Sequence, residues 1–274
     1  MPAKIDRIGR AHEWLTAYFL SNEEYLLEKA NTYLELLDSI EQKRVRVGSK
    51  HTAEGIKLLE KESEIDKVKC IGDESKKSGP EDYDLMIYFK EGEPKGYSLK
   101  IQKNPQGVNV RNPTINSLCK FFTRNDFEKY LNLEEIKKYE LMGKDYINKN
   151  IESQEVGHWG AVKLSEILNG ELKNDCEEFS KILLQEVRYK TNFILTIVDK
   201  SGNFIGQITE FNPLFKEFIK DPSKLKIFSG GISVHMMLNE KKLVKIDVYM
   251  QSNSKGRLNK LRLALRPDFI LNRK

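Results

Sequence analysis

"GPEDYDLMIYFKEGEPKGYSLKIQK", residues 79 to 103, predicts two β-strands joined by a short turn. Side chains alternate along a strand, so Ser98, Lys100 and Gln102 share one face of the second strand. Asp84 opens the corresponding face of the first strand, directly before the apolar run "LMIYF". If the two polar faces coincide, Asp84 lies close to Lys100. A carboxylate can hold Mg²⁺ and a neighbouring ammonium can stabilise charge that develops on phosphate, which is the chemistry of phosphodiester hydrolysis.

The composition is that of a globular protein. The chain has 274 residues, of which 39% are hydrophobic and 32% charged, so it can bury the core of one large domain or of two smaller ones. Its net charge of +5 is mild for this length, and it allows a polyanionic partner without requiring one. Cys70, Cys119 and Cys176 form no CxxC pair, which argues against a disulfide framework or a zinc ribbon and favours a reducing cytoplasm.

Signals for export and membrane insertion are missing from the sequence. The opening residues, "MPAKIDRIGRAHEWL", lack the apolar run of a signal peptide. Nowhere do about 20 uncharged apolar residues follow one another. We therefore expect a soluble, cytoplasmic protein with no membrane partner.

Helical patterns surround the hairpin, and strand patterns dominate the last third of the chain. Residues 10–42 predict one long helix or a helical pair, and another helix is expected from Thr52, with Glu60 and Glu64 one turn apart. Later segments are typical first of helices and then of strands: 113–150, 158–170 and 174–189, followed by "NFILTIVD", "FIGQIT", "GISVHMML" and "KLVKIDVYM". This order predicts an α/β fold with a β-rich C-terminal region. We expect a single domain over residues 1–274, with a subdivision into a helical and catalytic core, 1–150, and a helical and β-rich recognition region, 151–274.

At the hairpin the sequence resembles the PD-(D/E)xK nuclease superfamily. That pattern has an Asp at the start of one strand and, after a hairpin, an acidic-x-Lys triplet on the next. "PEDYD", ending at Asp84, supplies the first half, and "SLK", from Ser98 to Lys100, supplies the second. Ser98 stands where the family usually has Asp or Glu, and some type II restriction endonucleases carry Ser, Asn or Gln there. The segment "VGSKHTAEGIKLLEKE" looks like their N-terminal helix, which often adds a glutamate to the metal site, here Glu60 or Glu64.

The resemblance implies a restriction-endonuclease-like fold, in which helices flank a mixed central sheet. It implies a type II enzyme that uses Mg²⁺ to cut double-stranded DNA at a short specific site, acts as a homodimer, and is compatible with a cognate methyltransferase. The implied catalytic residues are Asp84, Ser98, Lys100, Glu60 and Glu64, with Asp84 and Glu64 as metal ligands.

Two polar clusters are candidates for DNA recognition. Amides and arginines can hydrogen-bond to base edges and phosphates, and lysines can bind phosphates. The first cluster follows the hairpin and is also compatible with a polar loop that caps a helix; the second surrounds Gly256, where cations stand beside amides rather than beside balancing carboxylates. The candidates are Asn104, Gln106, Asn109, Arg111 and Asn112 in the first cluster, and Lys255, Arg257, Asn259, Lys260 and Arg262 in the second.

Two alternatives to a nuclease remain open at the level of the sequence. Asp84 and Lys100 are also compatible with a solvated strand face that carries an exposed ion pair. The chain is also compatible with a DNA-binding protein without catalysis, or with an inactivated relative of such nucleases, because Ser98 replaces the usual acid. Binding alone requires no carboxylate facing the phosphates, and repulsion from such a carboxylate would weaken it.

Overall fold

The computed structural model describes residues 4–61, 63–71, 83–103, 110, 112–189, 192–251 and 260–268. The chain forms two compact units, each built from more than one stretch of sequence. The first unit contains Met1–Gly107, Thr191–Glu210 and Phe269–Lys274, and the second contains Val108–Lys190 and Phe211–Asp268. These boundaries differ from the expected division at residue 150, because strands within residues 191–210 complete the sheet of the first unit.

Helices and a five-stranded sheet make up the described part of the first unit. The helices are α1 (Lys4–Ser21), α2 (Glu24–Leu34) and α3 (Ser39–Leu59). The strands are β1 (Ile65–Cys70), β2 (Leu85–Phe89), β3 (Lys95–Gln102), β4 (Asn192–Val198) and β5 (Phe204–Ile208). They lie in the order β1-β2-β3-β4-β5, with β3 and β4 parallel and the other neighbouring pairs antiparallel.

The first unit has a core in which α1 and α3 pack on the β2–β3 hairpin. Leu85 and Tyr97 lie opposite each other in the antiparallel register, and both are buried together with Ala17 of α1 and Ile56 of α3. This pairing confirms the hairpin predicted from the sequence. Because side chains alternate along β3, its polar residues at 98 and 100 lie on the other face from Tyr97.

The helix that precedes the hairpin differs from the prediction at both ends. It does not begin at Thr52, because Asp38 caps the amino end of α3 with its side chain. Glu60 is the C-terminal cap of α3, and the chain then enters β1. Glu60 and Glu64 are therefore not one helical turn apart, and the prediction of a helix through both residues is wrong.

The second unit contains a separate antiparallel sheet with helices. Its described helices are α4 (Ile115–Thr123), α5 (Leu133–Ile147), α6 (Ser153–Asn174), α7 (Cys176–Glu186) and α8 (Leu214–Lys220), with short 3₁₀ helices at Phe127–Tyr130 and Pro222–Lys224. The strands β6 (Lys226–Gly230), β7 (Ser233–Leu238), β8 (Lys241–Gln251) and β9 (Lys260–Pro267) lie in sequence order. The predicted α/β class is thus confirmed as a mixed five-stranded sheet plus a separate antiparallel sheet. Among the described residues, no helix is both long enough and apolar enough to cross a membrane.

Glycines allow α6 to approach the second sheet closely. A Cβ atom at Gly157 would lie 2.5 Å from the backbone carbonyl oxygen of Val248 on β8. The helix does not end at Asn169 and Gly170 as predicted, because the Asn169 amide donates to the Ile227 carbonyl oxygen at 2.7 Å and α6 continues to Asn174. Tertiary packing on the sheet therefore outweighs a local signal for helix termination.

Replacing Gly157 by Ala should destabilise the second unit, because its methyl group would overlap a backbone atom that cannot move alone. We expect the free energy of unfolding to fall by about 1–3 kcal/mol. Gly170→Ala is the matched control on the same helix, since no atom lies within 4 Å of the added Cβ. That variant should gain roughly 0.5–1 kcal/mol from the lower entropy of its unfolded chain. Denaturant titration of both variants measures the difference, and equal effects would contradict the close packing.

Candidate functional site

Asp84 and Lys100 meet where β2 begins and β3 continues beside β4. Asp84 Oδ2 accepts a hydrogen bond from the Leu99 backbone N–H at 2.6 Å and a longer one from the Ser98 hydroxyl at 3.3 Å. Lys100 Nζ lies 3.6 Å from the same oxygen. The side chain of Asp84 is 19% exposed and that of Lys100 is 37% exposed, so solvent reaches both. We call Asp84 and Lys100 the acid–lysine pair; with Ser98, they are the sequence-predicted catalytic residues that the structure brings together.

Glu13 on α1 adds a second carboxylate that sequence reasoning missed. Its Oε2 lies 3.0 Å from Nη1 of Arg10 on the same helix, and its side chain is 12% exposed. Burial and the negative charge of Asp84 raise the pKa of Glu13 to about 7, against the opposing positive charges of Arg10 and Lys100. Glu13 is therefore coupled electrostatically to both members of the acid–lysine pair. The signal in the sequence is weak, a single acid within "AHEWLTAYFL".

A buried polar network anchors α1 beside the pair. His12 Nδ1 lies 2.9 Å from the Ser49 hydroxyl of α3, and that hydroxyl lies 3.3 Å from the His12 carbonyl oxygen. Ser49 can donate its one proton to the carbonyl and accept the proton on Nδ1. Burial and the charge of Lys100 lower the pKa of His12 to about 3, so the imidazole is neutral at physiological pH. The network thus fixes the helix that carries Glu13 without adding positive charge.

Glu60 and Glu64 do not join the acid–lysine pair. The Glu60 carboxylate accepts hydrogen bonds from the Tyr97 hydroxyl and from Lys95 Nζ, the latter at 2.7 Å. Burial and the hydrogen bond to Glu60 raise the pKa of Tyr97. Both donors lie on the core face of β3, opposite to the face of the pair. Glu64 Oε1 instead lies 2.5 Å from Lys90 Nζ, with its side chain 71% exposed.

Asn112 and Arg262 are the predicted DNA-binding residues whose side chains the structure describes. Arg262 Nη1 donates to the Asn112 carbonyl oxygen at 3.5 Å, and both residues line a cleft of about 540 Å³ with Lys120 and Phe121. Lys260 opens β9, and its side chain lies outside the described part of the chain. The other candidates also lie outside the described residues: Asn104, Gln106, Asn109, Arg111, Lys255, Arg257 and Asn259.

The oxygen donors around the acid–lysine pair are few, but they suit Mg²⁺. In the described part of the chain, no three His, Cys, Asp or Glu side chains form a group that could hold a metal ion. Mg²⁺ usually keeps several waters and requires only one or two protein carboxylates besides the substrate phosphates. The hydrogen bonds to Asp84 all use Oδ2, and none of the described residues donates to Oδ1. Asp84 Oδ1 and the Glu13 carboxylate therefore fit the chemistry of such an ion.

The residues of the site are the evidence for its chemistry. Comparisons of the chain with protein-family models, curated proteins and solved structures find no match. The Asp84 carboxylate, the Ser98 hydroxyl and the Lys100 ammonium meet at the hairpin end, and Glu13 of α1 interacts with Asp84 and Lys100 electrostatically. Together they can bind a cation and also place a positive charge beside an anionic substrate.

The raised pKa of Glu13 predicts a pH-dependent stability that Glu13→Gln removes. The folded state holds a proton on Glu13 up to pH about 7, whereas the unfolded chain releases it near 4.5. The free energy of unfolding should therefore fall as pH rises from 4.5 to 7, by up to about 3 kcal/mol. In Glu13→Gln this decline should disappear, while Glu28→Gln, on the exposed side of α2, should retain it. Urea unfolding at a series of pH values measures the slope, and an unchanged slope in Glu13→Gln would contradict the coupling.

Proposed function

We propose that this chain is a metal-dependent endonuclease that hydrolyses phosphodiester bonds of double-stranded DNA at a short specific site. The observation that carries the proposal is the Asp84 carboxylate, which lies 3.6 Å from the Lys100 ammonium at a solvent-accessible strand end. The positions of both groups depend on the hairpin backbone, because the Leu99 N–H between Ser98 and Lys100 donates to Asp84. Backbone anchoring of this kind favours a defined geometry over a loose surface ion pair.

The second carboxylate distinguishes this arrangement from a simple ion pair. An ion pair on a solvated surface needs one acid and one base and stabilises a protein by about 0–1 kcal/mol. Here the side chain of Glu13 is 12% exposed, and repulsion from Asp84 contributes to the raised pKa of its carboxyl group. A divalent cation bound here would favour the ionised form of Glu13, which burial and the charge of Asp84 disfavour.

Each side chain has a role in the proposed reaction. Asp84 and Glu13 would hold Mg²⁺, which when bound neutralises charge on the phosphate and lowers the pKa of water. Lys100 orients the attacking water or stabilises the negative charge that develops on the phosphate oxygens. Ser98 stands where the resembled nucleases usually have an acid. Its hydroxyl donates to Asp84 Oδ2 and orients the Asp84 carboxylate.

The finer features of the proposal follow from the resemblance at the hairpin. They are a restriction-endonuclease-like fold, a type II mode of cleavage and a homodimer whose two sites act on the two strands. In the second unit, Arg262 and Asn112 line one cleft and are available for recognition of DNA. A cognate methyltransferase would be needed if the enzyme protects its host genome.

A second candidate function is DNA binding without cleavage. It is favoured by the crowding of Asp84 Oδ2, which receives the Leu99 amide, the Ser98 hydroxyl and the Lys100 ammonium. In this second function, the Asp84 carboxylate stabilises the end of the hairpin and has no catalytic role. Binding would then persist in EDTA, and no metal would produce cleavage.

Lys100→Ala should abolish metal-dependent cleavage while leaving DNA affinity within several-fold, because the ammonium acts mainly on the transition state. We expect the cleavage rate to fall by at least about 100-fold. Lys90→Ala is a control, since Lys90 pairs with Glu64 away from the site. Plasmid cleavage with Mg²⁺ and affinity in EDTA are measured in parallel. Full activity of Lys100→Ala would remove its catalytic role.

Asp84→Asn and Glu13→Gln should each lose metal binding, because an amide keeps the shape but not the charge of a carboxylate. In the wild type, Mg²⁺ should raise the midpoint of thermal unfolding, since a ligand that binds only the folded state stabilises it. Both variants should lose this shift together with cleavage. Glu64→Gln and Glu60→Gln test the alternative ligands, and Glu64→Gln should behave as the wild type in both assays. A greater loss in Glu64→Gln than in Glu13→Gln would place the metal elsewhere.

A further inference from the structure

The second sheet has one face that differs from its core face in both charge and aromatic content. On β7 and β8, Val234, Ile246 and Val248 are buried on the core face, against which α6 packs through Gly157. The residues that alternate with them point to the opposite face, which we call the basic face. Its described members include Phe228, His235, Lys245, Tyr249, Arg262 and Arg266.

One row of side chains crosses the basic face on all four strands. The register pairs Phe228 with His235, His235 with Lys245, and Lys245 with Arg266. The Phe228 and His235 rings are stacked, with centroids 5.3 Å apart and planes 19° apart. Phe228 is nevertheless 48% exposed, although it is a large apolar side chain on a strand. The row therefore has aromatic rings on its first two strands and cations on the next two.

A buried aspartate organises the cations at the centre of this face. Asp247 accepts a hydrogen bond from the Ser233 hydroxyl at 2.7 Å and lies 2.9 Å from Lys245 Nζ and 3.1 Å from Arg266 Nη2. Burial opposes its ionisation, but the Ser233 and Lys245 hydrogen bonds and the charge of Arg266 hold the pKa of Asp247 below its ordinary value. The carboxylate thus stays charged and restrains two cations whose side chains remain about a third exposed, at 34% and 33%.

Positive charge on the basic face exceeds negative charge. Its described strand residues include five cations, Lys226, Lys242, Lys245, Arg262 and Arg266, against the carboxylate of Asp247 and that of Asp268 just past β9, which pairs with Lys242. Such a surface is complementary to a polyanion. Exposed aromatic rings among cations are the combination that binds unpaired bases by stacking and the intervening phosphates by charge.

The width of the sheet favours single-stranded over double-stranded nucleic acid as the ligand of the basic face. Three spacings of about 4.8 Å make a four-stranded face about 14 Å wide before side chains are added, whereas the major groove is about 12 Å wide. The face therefore cannot enter the groove, and the bases of a duplex are already stacked on each other.

We propose that the basic face of the second unit binds single-stranded nucleic acid, with a base stacked on Phe228 and phosphates beside Lys226, Lys245 and Arg266. This inference rests on the second unit alone and does not depend on the metal site.

The test is the affinity of the full chain for labelled oligothymidylate and for a duplex of equal length, measured by fluorescence anisotropy in EDTA, where cleavage cannot interfere. The wild type should bind the single strand, and Phe228→Ala should leave the affinity for the duplex unchanged. Phe228→Ala should weaken single-strand binding roughly 5- to 100-fold, because each stacked base contributes that much. Tyr25→Ala is the matched control, since Tyr25 is an aromatic residue of the first unit that is 47% exposed. Should Phe228→Ala fail to fold, Phe228→Leu keeps an apolar side chain but removes the ring, and it should show the same loss.

The cationic part of the face is tested by the dependence of affinity on salt. Lys226→Gln should reduce the slope of log affinity against log salt concentration by about 0.7, the value for one phosphate contact on a single strand. Lys181→Gln, on α7, should leave the slope unchanged. Equal effects of Phe228→Ala and Tyr25→Ala on single-strand binding, an equal loss of duplex affinity in Phe228→Ala, or no binding to oligothymidylate at low salt would each overturn the proposal. Retention of single-strand binding in Asp84→Asn would separate this surface from the proposed cleavage site.

Discussion

The hydrogen bond from the Leu99 amide to the Asp84 carboxylate controls the geometry of the candidate site. Asp84 stands one residue before β2, and Leu99 lies in the part of β3 that runs parallel to β4. A backbone donor on β3 is thus satisfied by a side chain at the start of the neighbouring strand. Because an unsatisfied buried amide costs about 1–3 kcal/mol, this contact contributes to the fold as well as to the site. It also places the carboxylate next to Lys100.

The charge balance near this bond shows why α1 matters to the site. Asp84 and Lys100 nearly neutralise each other, and Glu13 adds a second carboxyl group, whose pKa burial and the charge of Asp84 raise to about 7. Holding that carboxylate in place requires a helix that cannot shift, and the neutral His12 and the Ser49 hydroxyl supply a rigid contact with α3. Placing Glu13 near Asp84 lowers the stability of the ligand-free fold, although the candidate chemistry uses both carboxyl groups. Such conflicts between stability and function are common at functional sites.

The sheet of the second unit has two faces of different chemistry. Its sheet buries an apolar face against α6, and the opposite face keeps aromatic and basic residues in contact with solvent. Asp247 prevents mutual repulsion of Lys245 and Arg266 while leaving both partly exposed. The candidate site of the first unit thus combines two carboxyl groups with a lysine, whereas the basic face of the second presents mainly positive charge. The two surfaces are suited to a cation and to a polyanion respectively.

The sequence by itself determined the α/β class, the β2–β3 hairpin and the position of Asp84 and Lys100 on one polar face, because strand alternation is a local property. It could not identify Glu13, whose importance arises from contacts between α1 and a strand far along the chain, and it misplaced Glu60, which the end of α3 directs to the other face of β3. The basic face was also hidden, because only the pairing of four strands aligns its residues. Local periodicity sets which face a residue points to, but only tertiary packing decides which faces meet.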